Sequence, residues 1–249
     1  MTINKNGVDP QEVEKAIAQS LEEFYDSLLA KIDTINITDI IRRKNPYLYR
    51  AKAMQSASEI VESVLSATVS SSEETIFGNC FFEPLAIAAS GGNKALAEGV
   101  DILVEDKTNN IIYAIAVKSG TSVFNADSKK RQEQNFNAAY KLAQQAHAIY
   151  TPIIGYSYGK KRPTGKGRPT IYKELAGQDF WTELTGDPEF YIKIIGYMGN
   201  KPESYLEKYR ESYNKASNRL VKQFTESFCD NDGSINWEKL VRFNSGYDE

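Results

Sequence analysis

The chain has 249 residues, with 30 Lys+Arg against 33 Asp+Glu, a net charge of −3, and 41% hydrophobic residues. This is a globular composition, long enough to bury a sizeable core in one large domain or two small ones. One His (His147) and two Cys (Cys80, Cys229) exclude a zinc finger, which needs four Cys and His ligands, and paired-histidine chemistry, so catalysis is expected to fall to carboxylates, lysines or a bound cofactor.

In chain order, Asp9-Pro10-Gln11-Glu12 opens a helix, with Asp as N-cap, Pro at the first helical position and Glu three residues after the cap. Val13, Ile17, Leu21, Phe24, Leu28 and Ile32 then line one helical face. After the break at Asn45-Pro46, a second helix is predicted over 49–69 and a third from Ser72, with Glu73 and Glu74 in its first turn. On that third helix Ile76, Cys80, Glu83 and Ile87 would share a face. Glu83 would be its one polar member, unless Pro84 ends the helix and turns Glu83 to solvent.

The pattern then changes. Gly91-Gly92-Asn93 reads as a turn, 100–104 as a strand, 106–110 as a hairpin turn, and 111–117, apolar on both faces, as a central strand. A helix over 127–147, a strand over 149–156 and a basic Gly/Pro loop over 159–169 follow. The C-terminal third keeps helical spacing at Leu206, Tyr209, Tyr213, Ala216, Leu220 and Phe224. His147 is expected to cap or pack at a helix end, and Phe180 and Trp181 to be core. The order predicts a single α/β domain: a helical extension over 1–70, a core over 71–175 and a mainly helical part over 176–249.

The small net charge conceals a segregation. Between Lys118 and Lys173 there are eleven basic and two acidic residues, a block of +9, while the remainder carries 19 basic and 31 acidic residues, a net −12. Such a block points to an anionic partner such as nucleic acid, or to a solvated face. Its candidate contacts are Lys129, Lys130 and Arg131, which open a helix against its dipole, and Lys160, Lys161, Arg162, Lys166 and Arg168 in the loop. The glycines of that loop do not fit a phosphate-binding P-loop: five residues separate them, and Gly167 stands where Ser or Thr is needed. The opening Met-Thr-Ile-Asn-Lys-Asn has no apolar h-region, the longest apolar run is Ile111 to Val117, and two distant Cys make no disulfide framework. A cytoplasmic protein without a membrane span is expected.

If the two strands pair across the 106–110 turn, Val104 opposes Tyr113 to Ile115, and Asp101 meets Lys118 at the open end of the hairpin. A carboxylate and an ammonium placed there form either a cross-strand ion pair or a reactive pair. The surrounding residues resemble the PD-(D/E)XK nuclease superfamily, and within it a subgroup of type II restriction endonucleases. The resemblance covers about residues 45–195. It is carried by Asn45-Pro46, Thr75-Ile76-Phe77-Gly78 with Glu83, Gly99-Val100-Asp101, Lys118-Ser119-Gly120 with Asn125, Tyr158-Gly159, and Gly177-Gln178-Asp179-Phe180-Trp181.

The resemblance implies a restriction-endonuclease-like α/β core, a central mixed sheet flanked by helices, with helical extensions at both ends. It implies hydrolysis of double-stranded DNA at a specific sequence, with Mg²⁺ as cofactor (Mn²⁺ as a substitute). The ligands would be Asp101, Glu83 and the Val117 carbonyl, and Lys118 would orient or activate the attacking water. Ser119 and Asn125 would lie among the DNA contacts. A homodimer and a matching DNA methyltransferase in the host are expected partners. The acid that the superfamily places two residues before the lysine is here Ala116, so Glu83, Glu98 or Glu105 must compensate. The alternatives are a DNA-binding protein on a weakened or inactive nuclease scaffold, and a structure-selective repair nuclease. The most telling structural observation is whether Glu83, Asp101 and Lys118 converge within about 4–6 Å, close enough to couple electrostatically; a Glu83 more than about 10 Å from Asp101 would lose its assigned role.

Overall fold

The structure, a computed structural model, describes residues 2–161 and 170–246. The chain divides into two compact units: Met1–Glu23 with Phe77–Pro202, and Phe24–Ile76 with Glu203–Glu249.

The first unit is built on a five-stranded mixed sheet in the order β1 (Asn93–Lys94), β2 (Ile102–Asp106), β3 (Ile111–Lys118), β4 (Ile149–Tyr156), β5 (Lys173–Ala176). The first two pairings are antiparallel and the last two parallel. Helix α6 (Ala126–Gln145) crosses between β3 and β4, as a parallel connection requires. Its Phe136 and Ala139 pack with Ala114, Ala116, Ile154 and Tyr156. Helices α5 (Phe82–Ser90) and α7 (Gln178–Thr185) pack against β3 and β5 respectively, and α8 (Phe190–Met198) against α7. Residues 113–117 of β3 are all buried, which explains their apolar character on both faces.

The hairpin is made by local chemistry. The Asp106 side chain accepts hydrogen bonds from the Thr108 and Asn109 amides and from the Asn109 side chain, while Lys5 pairs with it at 2.6 Å. Val104 pairs with Tyr113, within the register expected.

The second unit gathers the rest of α1 (Pro10–Thr34), α2 (Ile37–Ile41), α3 (Pro46–Ala51), most of α4 (Ala57–Cys80), α9 (Leu206–Phe228) and α10 (Trp237–Ser245). Its core includes Leu28, Ile32, Val61, Leu65, Leu220 and Phe224. Asn45 caps α3 by accepting from the Tyr47 amide, with Pro46 at the first helical position.

Several expectations are corrected. The helix read over 49–69 is two helices, α3 and α4, and no helix starts at Ser72. There the Ser72 hydroxyl donates to the Thr68 carbonyl at 2.8 Å, and Thr68 and Thr75 do the same to Val64 and Ser71. These hydroxyls are satisfied inside a helix instead of capping one. The break comes later, at Phe81. Pro84 has no N–H for the Cys80 carbonyl four residues back, so α4 stops and α5 begins with Glu83 and Pro84 in its first turn. Asn93 begins a two-residue strand instead of a turn, and β5 is a strand that the sequence pattern does not announce. His147 ends α6 at φ +52, and its carbonyl accepts from Asn110. Phe180 and Trp181 are core, and both cysteines are free thiols. Among the described residues no helix is long and apolar enough to cross a membrane.

Lys5 and the Asn109 side chain hold the Asp106 carboxyl down to about 2, from the ordinary 3.8. A depressed carboxylate stabilises the fold above its unfolded value, and that contribution is lost as pH falls through the folded one. Thermal melting is therefore expected to lose stability between pH 3.8 and about 2, and Asp106→Asn to flatten this dependence. An unchanged profile in the variant contradicts the assignment.

Candidate active site

Strand β2 stops at Ile102, opposite Ile115, whereas β3 runs three residues further. Asp101 lies in the step this creates. Its amide still donates to the Ile115 carbonyl at 2.9 Å, so its backbone is held in register. Its Oδ2 accepts from the Val117 amide at 2.6 Å and from Lys118 Nζ at 3.3 Å. The carboxylate thus replaces the β2 backbone as the acceptor for β3, and the same atom receives the lysine. The Asp101 and Lys118 side chains are 22% and 26% exposed, reachable from solvent but partly desolvated. Oδ1 of Asp101 accepts no hydrogen bond among the described residues.

Close packing sets this corner. Gly99, at φ +69, turns the chain into Asp101, and its carbonyl accepts from Gln132 of α6 at 2.6 Å. A Cβ on Gly99 would lie 2.1 Å from the Asn135 side chain, so the Gly-x-Asp spacing follows from the approach of α6. Gly78 lies under Ser119 in the same way: a Cβ there would be 2.5 Å from the Ser119 hydroxyl.

Asp101, Val117, Lys118 and Ser119 share a cleft of about 320 Å³ with Gly78, Asn79, Phe82, Glu83 and Val123. Glu83, which the Pro84 break carries into the first turn of α5, lines the same cleft as Asp101 and Lys118. Pro84 does break the helix, yet the Glu83 side chain faces the cleft and stays 29% exposed. Sequence reasoning missed Lys94 of β1. Its Nζ lies 2.9 Å from Glu83 Oε1, and Glu83 first, with Asp101 as a smaller influence, holds its ammonium charged to higher pH than usual. Glu98 and Glu105 are exposed and do not line the cleft. Ala116 is fully buried against Ala114, Phe136 and Ile154, so an acid at that position would enter an apolar cluster.

The donor set consists of hard oxygens. Two carboxylates border the cleft. Val117, whose amide donates to Asp101, lines the same cleft. Such a set suits a hard divalent cation, which takes one or two carboxylates and completes its shell with water and phosphate. Among the described residues no group of three or more His, Cys, Asp or Glu side chains stands where it could hold a metal ion.

The basic block is divided. Lys130, Arg131 and Lys160 are exposed and make no ion pair among the described residues. Lys129 and Lys161 both pair with Glu174 of β5, at 3.1 and 2.6 Å, and the Tyr156 hydroxyl donates to the same carboxylate at 3.0 Å. Burial opposes ionisation of Glu174, but these bonds outweigh it and hold the carboxyl below its usual range. Asn125 caps α6: its side chain accepts from the Ser128 amide, and Ser128 reciprocates. Arg162, Lys166 and Arg168 lie outside the described residues.

A family model described as type II restriction endonuclease EcoO109I matches residues 11–205. The chain belongs to this restriction endonuclease family. Membership makes it a DNA-binding protein of an endodeoxyribonuclease family, with a mixed sheet flanked by helices as its core. No curated protein matches the chain. The Phe-Trp pair within the matched span has a packing role: Phe180 lies over Gly155, where a Cβ would be 2.1 Å from its ring, and the Trp181 indole donates to the Ser157 carbonyl.

Glu174→Gln leaves two half-buried ammonium groups without a charge partner. Urea denaturation should show a loss of about 1–3 kcal/mol. A change within about 0.5 kcal/mol, typical of a plain surface substitution, would show that water already solvates both lysines.

Proposed function

We propose that the protein is a Mg²⁺-dependent type II endonuclease that hydrolyses double-stranded DNA at a specific sequence. The observation that carries this reading is the Asp101–Lys118 pair, 3.3 Å apart at the step between β2 and β3, in a cleft that Glu83 also lines. Asp101, Glu83 and the Val117 carbonyl would hold the cation. When bound it would polarise the scissile phosphate and acidify its water.

The chain's own residues do the rest. The Val117 amide fixes one carboxylate oxygen of Asp101 and leaves the other free to bind. Lys118 presents its ammonium beside that carboxylate, positioned to hydrogen-bond the attacking water and to stabilise negative charge on the phosphate. Water attacks phosphorus in line, the bond to O3′ breaks, and O3′ takes up a proton, leaving 5′-phosphate and 3′-hydroxyl ends. Lys130, Arg131 and Lys160 contact the backbone without reading sequence. Mn²⁺ substitutes for Mg²⁺. The protein acts in the cytoplasm as a homodimer, since two-fold symmetry matches cutting of both strands of a palindrome. A methyltransferase in the same host protects the sites.

The buried Ala116 favours one second reading, a DNA-binding protein whose scaffold has lost its chemistry. Incubation of purified protein with varied plasmid and phage DNA in Mg²⁺ or Mn²⁺ separates the two. Discrete fragments are expected from wild type, with cleavage by Asp101→Asn and Lys118→Ala reduced at least about 100-fold, as for removal of a principal transition-state interaction. Binding without cutting by wild type leaves the second reading standing.

A further inference from the structure

The second unit carries a groove of about 600 Å³ between the end of α1, α2 and α4, lined by Lys31, Asn36, Asp39, Arg43, Lys44 and Ser71 among others. Lys31, Arg43 and Lys44 make no ion pair among the described residues, whereas ten other lysines and Arg242 do. Asp39 is the one acid on the lining, so the groove is net +2. This sits outside the basic block, in the unit formed by residues 24–76 and 203–249, which carries 13 basic and 16 acidic residues, a net −3. Mutual repulsion opposes gathering three cations around one concavity unless a counter-charge enters it.

No aromatic ring lines the groove, so nothing there stacks a base. The Thr34, Thr68 and Ser72 hydroxyls on its lining donate to helix carbonyls, so its charged donors are the ammonium and guanidinium groups of Lys31, Lys44 and Arg43, which suit phosphate oxygens. We propose that this groove is a second, sequence-neutral contact for the sugar-phosphate backbone of the duplex substrate. The inference rests on the endonuclease reading for its choice of polyanion. A duplex presents a charge about every 1.7 Å along its axis, enough to engage all three cations at once.

The test is a salt titration of duplex binding by fluorescence anisotropy, without divalent metal. It compares wild type with the Lys31→Ala, Arg43→Ala, Lys44→Ala triple variant. A control removes three charges elsewhere in the same unit through Lys215→Ala, Lys222→Ala and Lys239→Ala. The groove variant is expected to bind every duplex more weakly and to show a dependence of log K on log salt that is shallower by about 2–3, at ~0.9 for each phosphate no longer neutralised. Its melting temperature should match wild type. A wild-type slope in the groove variant, an equal weakening in the control, or a wild type that binds no duplex overturns the proposal. Duplex binding with the expected slopes but no cleavage by wild type sinks the endonuclease reading and leaves the groove standing.

Discussion

The hydrogen bond from the Val117 amide to Asp101 is the constraint on which the site depends. At the end of β2 the backbone can no longer accept from β3, and a side-chain carboxylate takes its place. This single bond continues the ladder chemically after it has ended structurally. It also fixes a partly desolvated carboxylate beside Lys118 without closing its second oxygen. A charged acceptor strengthens the bond relative to a neutral one, which helps to fix the position of the Asp101 carboxylate. Gly99 and Gln132 behind it, and Gly78 beneath Ser119, allow the helices to approach closely enough to hold that corner.

Charge around the corner is compensated locally. Lys94 answers Glu83, Lys118 answers Asp101, and Glu174 holds Lys129 and Lys161. A +9 segment is therefore far from a uniformly free cationic surface. Part of it holds α6 and the approach to the basic loop against β5, and part is exposed to solvent. In the helical unit, by contrast, Lys31, Arg43 and Lys44 stand around one groove and make no ion pair among the described residues.

What is legible in the sequence is local. The Asp106 turn, the apolar run of β3 and the capping of α1 each follow from neighbouring residues, and together they put Asp101 opposite the end of β3 with Lys118. What is not legible depends on distant partners. Two residues at Asn93 become a strand only because β2 pairs with them, and Lys94 matters only because that pairing brings it to Glu83. Glu174 gives no signal of its own, since its lysines lie 45 and 13 positions away in sequence. Ser72 imitates a helix start because a hydroxyl that caps and one that bonds back within a helix look alike in sequence. Pro84 marks a break in the sequence and makes one in the structure, but the direction in which Glu83 then faces is set by the packing of α5.

In the proposed reaction Asp101 and Lys118 act as one unit. A double-mutant cycle on single-turnover DNA cleavage, with Asp101→Asn, Lys118→Met and the combined variant, tests this directly. Residues that act together show strongly non-additive losses, so the double variant should cleave about as slowly as the worse single variant. Losses that multiply, as for two independent surface groups, would contradict a shared site at the end of the hairpin.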